Sequence, residues 1–169
     1  LELGAFCIAM RVKGETPDEM AGFYDAVQSR IHKVSANGAP LVVIPSYNGA
    51  RKMPVLTPLL ALKLAQHGVG VIIHSNQTEA KRVSAMSVLA HLDVWAQAQF
   101  EAPAAGQVAL VHTSQLHKGL DRLLRVRETL ALRNSGHSLV KLLAPTHQPS
   151  LLVTSYTHPE YLHSMTETL

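Results

Sequence analysis

The sequence predicts an α/β fold in which a parallel sheet is flanked by helices, preceded by part of a small helical region. From residue 41 onward, short β-branched runs alternate with amphipathic segments, and this alternation is typical of parallel sheets. A chain of 169 residues is long enough to bury one core without disulfide bonds. With 47% hydrophobic and 16% charged residues, it is also too apolar to be disordered.

The first 34 residues predict a pair of helices. Residues 3–10 form an apolar run that is typical of a helix already under way. Thr16, Pro17 and Glu19 then match a capping box with proline in the first turn, which indicates a second helix. The A-N-G-A-P stretch at residues 36–40 is a helix breaker and ends this region.

The remaining residues predict four buried strands separated by helices. Runs rich in Val, Ile and Leu favour buried parallel strands, and helical periodicity with Gly or Pro at the ends marks the segments between them. The predicted strands are residues 41–44, 69–74, 108–112 and 151–155; the predicted helices are residues 57–67, 79–92, 116–132 and 138–143, with one more beginning at His158.

Several classes of protein are excluded by composition. The single cysteine, Cys7, excludes an internal disulfide framework and a multi-cysteine zinc site. The ten histidines show no H-E-x-x-H or H-x-H spacing, so we predict no metal site. The apolar runs are too short to cross a membrane, and no secretory signal is visible, so we predict a cytoplasmic protein without a membrane partner. The first residue is Leu1 and lies inside an apolar run, which suggests a fragment of a longer protein.

The positive charge lies in the middle of the chain. The net charge is only +3, but residues 35–92 carry five basic side chains against one acidic one. Such a segment attracts an anionic partner, although a solvated face of a soluble enzyme is an equally good explanation.

Two polar segments follow predicted strands directly. They are I-P-S-Y-N-G-A-R-K at residues 44–52 and H-S-N-Q-T at residues 74–78. Because ligands of open parallel sheets bind at the carboxyl ends of strands, both segments are candidates for holding a phosphate. Ordinary strand-to-helix turns and a capped helix start explain them as well.

A third candidate is a row of cations at residues 118–133. Lys118, Arg122, Arg125 and Arg133 share one face if a single helix continues through all of them. Such a row could contact a phosphate backbone, and Arg133 could also bind a carboxylate. A solvated helix face is the more usual explanation, since Asp121 and Glu128 dilute the charge.

Several motifs together resemble one known family. Residues 4–6 (G-A-F), 9–22 (A-M-R-V-K-G-E-T-P-D-E-M-A-G) and 88–92 (V-L-A-H-L) are similar to anthranilate phosphoribosyltransferase of glycosyltransferase family 3. The resemblance is closer to the YbiB-like, DNA-binding branch of that family. The motifs of that branch are I-P-S-Y-N-G-A-R-K (44–52), L-T-P-L-L-A (56–61), R-N-S-x-H-x-L-x-K-L (133–142) and S-x-x-H-P-E-Y (155–161).

The resemblance implies a domain organisation and a mode of association. It implies that residues 1–34 are part of an N-terminal helical domain that forms a homodimer. It implies that residues 35–169 are the first part of a phosphoribosyltransferase-like α/β domain. The acidic metal-binding pair of active members would lie beyond Leu169, so Mg²⁺ is implied only if the protein is an active transferase, and no other cofactor is expected.

The resemblance also indicates a degenerate phosphoribosyl pyrophosphate site. Active members carry G-T-G-G-D after the first strand, whereas residues 46–50 here are S-Y-N-G-A. The family K-H-G-N-R motif is I-H-S-N-Q at residues 73–77, so two cations are missing. Arg133 matches the family arginine that contacts the anthranilate carboxylate. The ligand-binding residues predicted on this basis are Ser46, Asn48, Gly49, Thr57, His74, Asn76 and Arg133, with no catalytic residue assigned.

The function that the resemblance implies is non-specific binding of nucleic acid, single-stranded DNA in particular. The residues predicted to contact it are Arg51, Lys52, Lys81, Arg82, Lys118, Arg122 and Arg125. The aromatic content of 5% favours contacts to the backbone over base stacking. The alternative is a glycosyl- or phosphoribosyltransferase related to the anthranilate enzyme of tryptophan biosynthesis.

Overall fold

The computed structural model, which describes residues 1–36, 38, 40–77 and 81–169, contains the α/β fold that the sequence predicts. Four parallel strands form one sheet in the order β3-β2-β1-β4. Helices flank this sheet, so the predicted fold class is confirmed. The strands are β1 (Leu41–Pro45), β2 (Gly70–Ser75), β3 (Val108–His112) and β4 (Leu151–Leu152).

The helices lie between the strands and at both ends of the described chain. Those before the sheet are α1 (Glu2–Lys13) and α2 (Pro17–Gln28). Those that connect or follow strands are α3 (Thr57–Gln66), α4 (Ala85–Ala90), α5 (Thr113–Leu116), α6 (Lys118–Leu130), α7 (Gly136–Leu139) with a 3-10 turn at Val140–Leu142, and α8 (Pro159–Thr168).

The two central strands are buried along their whole length. Every residue of β1 and of β2 is buried, and a strand covered on both faces needs no alternation of polar residues. Neighbouring side chains still point to opposite faces of the sheet. Val43 and Ile72 therefore belong to one apolar cluster, and Ile44 and Ile73 belong to another.

The predicted capping box starts α2. The Glu19 backbone N–H donates to Thr16 Oγ1 at 3.2 Å, and the Thr16 N–H donates to Glu19 Oε2 at 3.0 Å. Two backbone N–H groups at the helix start that have no intrahelical partner are thereby satisfied. The predicted end of α3 is also observed, because Gly68 adopts a φ of +81° that favours glycine.

The helix predicted for residues 79–92 is much shorter in the structure. Residues 78–80 lie outside the described part of the chain, and α4 covers only Ala85–Ala90. Val83 pairs instead with Ala50 through two backbone hydrogen bonds of 2.8 and 3.0 Å. The helix begins after this pairing because Ser84 Oγ caps it by accepting from the Ser87 N–H at 3.1 Å.

The helix predicted for residues 116–132 is observed as α6 (Lys118–Leu130), and a break at His117 separates it from the short helix α5. His117 has an extended backbone with φ −162°, and its ring Nδ1 caps α6 by accepting from the Leu120 N–H at 2.9 Å. Ala131 ends α6 in the left-handed conformation with φ 56°. Arg133 therefore lies beyond the helix, and the row of four cations on one helix face is not formed.

Two other boundaries also differ from the prediction. The segment predicted as a strand at residues 151–155 is a strand only at Leu151–Leu152, followed by one hydrogen bond of 2.8 Å from the Val153 N–H to the Val43 carbonyl of β1. The helix predicted at residues 138–143 is α7 followed by a 3-10 turn. Both elements are too short for periodicity to fix their ends.

A third apolar cluster joins the N-terminal helices to the rest of the chain. Ile31, Leu124 and Leu143 are buried in it, with exposures of 6%, 1% and 0%. Tyr24 from α2 and Tyr47 from the loop after β1 pack against them. The helical segment therefore shares a core with the α/β part, while the predicted domain boundary at residue 34 stays a prediction.

Candidate functional site

Polar side chains meet at the carboxyl edge of the sheet, where the strand order brings the ends of β1, β2 and β3 together. Ser75 Oγ donates a short hydrogen bond to the Ser46 carbonyl, and Thr113 Oγ1 donates to the Ser75 carbonyl at 3.0 Å. Ser46 Oγ in turn donates to Thr57 Oγ1 at 3.4 Å. The predicted neighbours Ser46 and Thr57 thus lie together, within a network internal to the protein.

Tyr47 and His74 extend this network into the core. The Tyr47 hydroxyl lies 2.7 Å from His74 Nδ1 and 2.9 Å from Thr113 Oγ1. His74 Nε2 lies 3.1 Å from the Leu143 carbonyl, which can only accept. Nε2 therefore carries the ring proton, and Nδ1 accepts from the Tyr47 hydroxyl.

The surroundings keep both rings uncharged. His74 is fully buried, and this burial lowers its pKa from 6.5 to about 4, although the bond to the Leu143 carbonyl acts in the opposite direction. Burial raises the pKa of the Tyr47 hydroxyl. At neutral pH the Tyr47 hydroxyl and the His74 ring are therefore both neutral. They donate hydrogen bonds within the protein, and they provide no positive charge that could bind an anion.

This arrangement makes stability depend on pH. As pH falls below 6.5 an unfolded His74 takes up a proton, whereas the folded one stays neutral until about pH 4. Between these values we expect the free energy of unfolding to fall by about 1.4 kcal/mol per pH unit from this group. Urea titrations at several pH values measure it, and in His74→Gln, whose amide can still donate to Leu143, this contribution should vanish. An unchanged pH dependence in that variant would contradict the assignment.

The loop after β1 is held closed by the segment before α4. Besides the backbone pairing of Ala50 with Val83, Arg82 Nη1 donates to the Gly49 carbonyl at 2.8 Å. A Cβ at Gly49 would lie 2.7 Å from the Val83 carbonyl oxygen, so only glycine fits there. The space above Gly49 is thus filled by the protein's own backbone.

The two asparagines predicted to bind ligand lie at the same edge. Asn48 is half-buried, and Asn76 is 5% exposed. Asn76 Nδ2 has no hydrogen-bond partner among the residues that the structure describes. Six of the seven predicted ligand residues therefore lie along one edge, at the ends of β1 and β2 and the start of α3, whereas Arg133 lies elsewhere.

Arg133 lines a cleft of about 350 Å³, here called the cationic cleft. The cleft lies between the end of α1, the turn from α6 to α7 and the start of α8. Its lining holds four cationic side chains and one carboxylate, and two histidines and a tyrosine add polar rings. These residues are Arg11, Arg127, Arg133, Lys141, Glu15, His137, His158 and Tyr161.

The electrostatics of the cationic cleft favour an anion. Burial lowers the pKa of Lys141, and the nearby Arg133 guanidinium lowers it further. Lys141 Nζ donates to the Ser155 carbonyl at 3.2 Å, which leaves its charge uncompensated at that contact. The Glu15 carboxylate accepts a 2.5 Å hydrogen bond from Ser135 Oγ. An anion in the cleft would relieve the repulsion between the two cations.

The cations predicted around the loop after β1 have different surroundings. Arg51, Lys52 and Lys81 are exposed and accessible to a polyanion. Arg82 is half-buried, and its guanidinium holds the Gly49 carbonyl. Arg82 therefore makes a contact within the protein, in addition to its predicted role in binding nucleic acid.

The cations predicted on α6 are exposed but are not equivalent. Arg125 Nε lies 3.1 Å from Asp121 Oδ2, and its Nη1 lies 3.7 Å from Glu128 Oε1, so its charge is largely balanced. Arg122 lines an apolar groove beside α1. Lys118 is exposed at the start of the helix.

Of the eight charged or ring-bearing residues that line the cationic cleft, the sequence analysis predicted only Arg133 as a site residue. The others come from separate segments, so no local spacing connects them. A signal existed for six of these seven, because they lie in the motifs at residues 9–22, 133–142 and 155–161. Arg127 lies outside these motifs and had no such signal.

Within residues 1–36, 38, 40–77 and 81–169, no group of three or more His, Cys, Asp or Glu side chains is placed to hold a metal ion. Over the same part of the chain, no helix has the length and apolar character needed to cross a membrane.

Comparison with known sequences gives two kinds of relative. Residues 1–31 match the model of the Glycosyl transferase family, helical bundle domain. YbiB of Escherichia coli K12, described as an uncharacterized protein, is 37% identical over 172 residues, which cover 96% of this chain and 53% of YbiB. Anthranilate phosphoribosyltransferase of Dictyoglomus turgidum is 23% identical over 171 residues, covering 98% of this chain and 50% of the enzyme.

Solved structures show the same fold. The crystal structure of anthranilate phosphoribosyltransferase from Thermus thermophilus matches with a TM-score of 0.75 at 24% identity, over 98% of this chain and 51% of that one. The enzyme from Saccharomyces cerevisiae matches with a TM-score of 0.60 at 13% identity, over 98% and 46%. The chain therefore spans about half the length of these relatives. It is homologous to YbiB and to the anthranilate phosphoribosyltransferases, and its residues 1–31 match the helical bundle domain of the Glycosyl transferase family.

Proposed function

We propose that this protein binds nucleic acid without sequence specificity, single-stranded DNA in particular, on a transferase fold whose phosphate site is degenerate. The observation that carries the proposal is the cationic cleft, in which four cationic side chains and one carboxylate line about 350 Å³. A concave surface with a net positive lining attracts and holds a flexible polyanion.

The closed loop after β1 supports the proposal that the phosphate site is degenerate. A phosphoribosyl pyrophosphate cradle needs backbone N–H groups that a phosphate can approach closely. At this position Tyr47 points inward to His74, and the backbone of residue 83 lies over Gly49. The polar edge is therefore organised around contacts within the protein.

A salt titration of DNA binding tests the function. Because each neutralised phosphate releases counterions, affinity should fall steeply with salt and depend little on base sequence. Replacing Arg51→Gln and Lys52→Gln together should weaken binding to all sequences alike and flatten the salt slope by about one to two units. Fluorescence anisotropy measures both quantities, and Lys63→Gln on the exposed face of α3 is the control. An unchanged salt slope in the double variant would show that this loop is not part of the binding surface. Absence of binding by the parent protein at low salt would refute DNA binding.

The second candidate function is a phosphoribosyltransferase that uses a different cradle, with Mg²⁺ as its cofactor. The observation that favours it is the homology to anthranilate phosphoribosyltransferases along nearly the whole chain. Calorimetry with phosphoribosyl pyrophosphate and an assay with anthranilate discriminate the two candidates. We expect neither tight binding nor turnover, and finding both would favour the enzyme.

We propose in addition that the protein is a homodimer through α1. Phe6, Ile8 and Val12 are exposed at 44%, 43% and 83% on this helix. Beside them an apolar groove runs along α6 and includes Val126. Surface of this kind is typical of an interface.

Sedimentation velocity tests the association. The protein should sediment as a dimer, and Ile8→Glu should convert it to a monomer because a charge would be buried without a partner. Leu92→Glu, at a residue 53% exposed and distant in sequence from α1, is the control and should remain dimeric. A monomeric parent protein would overturn the proposal.

A further inference from the structure

The shape of the cationic cleft restricts what can enter it. Its volume of about 350 Å³ is at the lower end of the range for small-molecule pockets. Proteins read duplex DNA with elements that protrude into a groove, whereas a concave pocket of this size receives a single group. A strand whose bases are unpaired can place one nucleotide in such a pocket.

Two cations of the cleft are suited to binding a phosphate. Arg133 and Lys141 are both half-buried, and both line the cleft. Arg133 lies in the turn between α6 and α7, and Lys141 lies in the 3-10 turn that follows α7. A guanidinium can bind two phosphate oxygens, and an ammonium adds a point charge.

Aromatic rings also line the cleft. His158 and Tyr161 begin α8, and their ring centroids are 6.0 Å apart with planes inclined by 46°. Tyr161 is 40% exposed, so part of its ring is accessible from the cleft. Met165 lies buried in the cleft lining beyond it. An exposed ring beside cations is the arrangement on which single-stranded nucleic acids stack their bases.

We propose that the cationic cleft receives one unpaired nucleotide, with its phosphate at Arg133 and Lys141 and its base stacked on Tyr161. The inference rests on the proposed function, which it deepens by assigning a base-contacting residue. It adds base stacking to the backbone contacts that the aromatic content favours, and stacking is a contribution that a sugar-phosphate chain cannot provide.

A comparison of two single strands tests the proposal. Anisotropy would measure dissociation constants for a short oligothymidine and for an abasic oligonucleotide of equal length. Tyr161→Ala should weaken binding of oligothymidine about tenfold, since one stacked base contributes about 1–3 kcal/mol, and should leave abasic binding nearly unchanged. Tyr161→Phe should retain most of the affinity because it retains the ring. Tyr156→Ala, at a tyrosine 46% exposed and outside the cleft lining, is the matched control.

The outcomes separate the two proposals. Equal affinity of the parent protein for both strands, or equal losses on both strands in Tyr161→Ala, would overturn the stacked nucleotide and leave electrostatic binding in place. Failure of the parent protein to bind either strand would overturn the proposed function itself. The comparison in the parent protein needs no variant, so a folding defect in Tyr161→Ala leaves the test decisive.

Discussion

Replacing Arg133→Gln and Lys141→Gln together is expected to weaken binding of single-stranded DNA about a hundredfold at moderate salt. Each hydrogen bond to a charged phosphate contributes about 1.5 kcal/mol, and two such contacts give that factor. Both residues line the cationic cleft. The salt slope should fall by about two units because two fewer counterions are released. Anisotropy titrations over a range of salt concentrations measure both effects.

Two matched variants distinguish a local effect from one of net charge. Arg30→Gln with Lys63→Gln removes the same charge outside the cleft and should reduce affinity only slightly. Arg133→Lys with Lys141→Arg keeps both charges and should retain most of the binding. Equal losses in the two charge-removing pairs would mean that net charge alone drives binding. No loss from the cleft pair would exclude the cationic cleft from the DNA interface.

Leu124→Ala is expected to lower the free energy of unfolding by about 2–5 kcal/mol. Leu124 is 1% exposed and packs in the cluster formed with Ile31, Val140 and Leu143. This cluster joins α2 to the α/β part, and a cavity there costs both lost burial and lost packing. Urea denaturation measures the change.

The control for this prediction is a leucine of the same size at the surface. Leu92→Ala removes a side chain that is 53% exposed, so its effect should stay within about 0.5 kcal/mol. A loss in Leu124→Ala no larger than in Leu92→Ala would show that this cluster does not hold the N-terminal helices to the sheet. A second unfolding transition in Leu124→Ala would instead show that the two parts unfold separately.

The sequence predicted strands and helix starts correctly where they depend on residues that are neighbours in the chain. The strand over residues 108–112 was predicted with the bounds observed for β3, and the capping box at Thr16 and Glu19 formed as predicted. Capping and strand burial depend on a few neighbouring residues, which a single sequence displays. The predicted helix at residues 79–92 was wrong in length because Val83 pairs with Ala50, a contact between distant segments.

The sequence by itself determined that the polar segments after β1 and β2 share one edge, because the carboxyl ends of parallel strands always meet there. The tertiary structure decided that Tyr47 turns inward to the buried His74 and that residue 83 covers Gly49. It also decided that Arg133 leaves α6 and joins Lys141 in a cleft built from separate segments. The periodicity of a sequence reports which face of an element is apolar, whereas side chains from different elements meet only when those faces pack against one another.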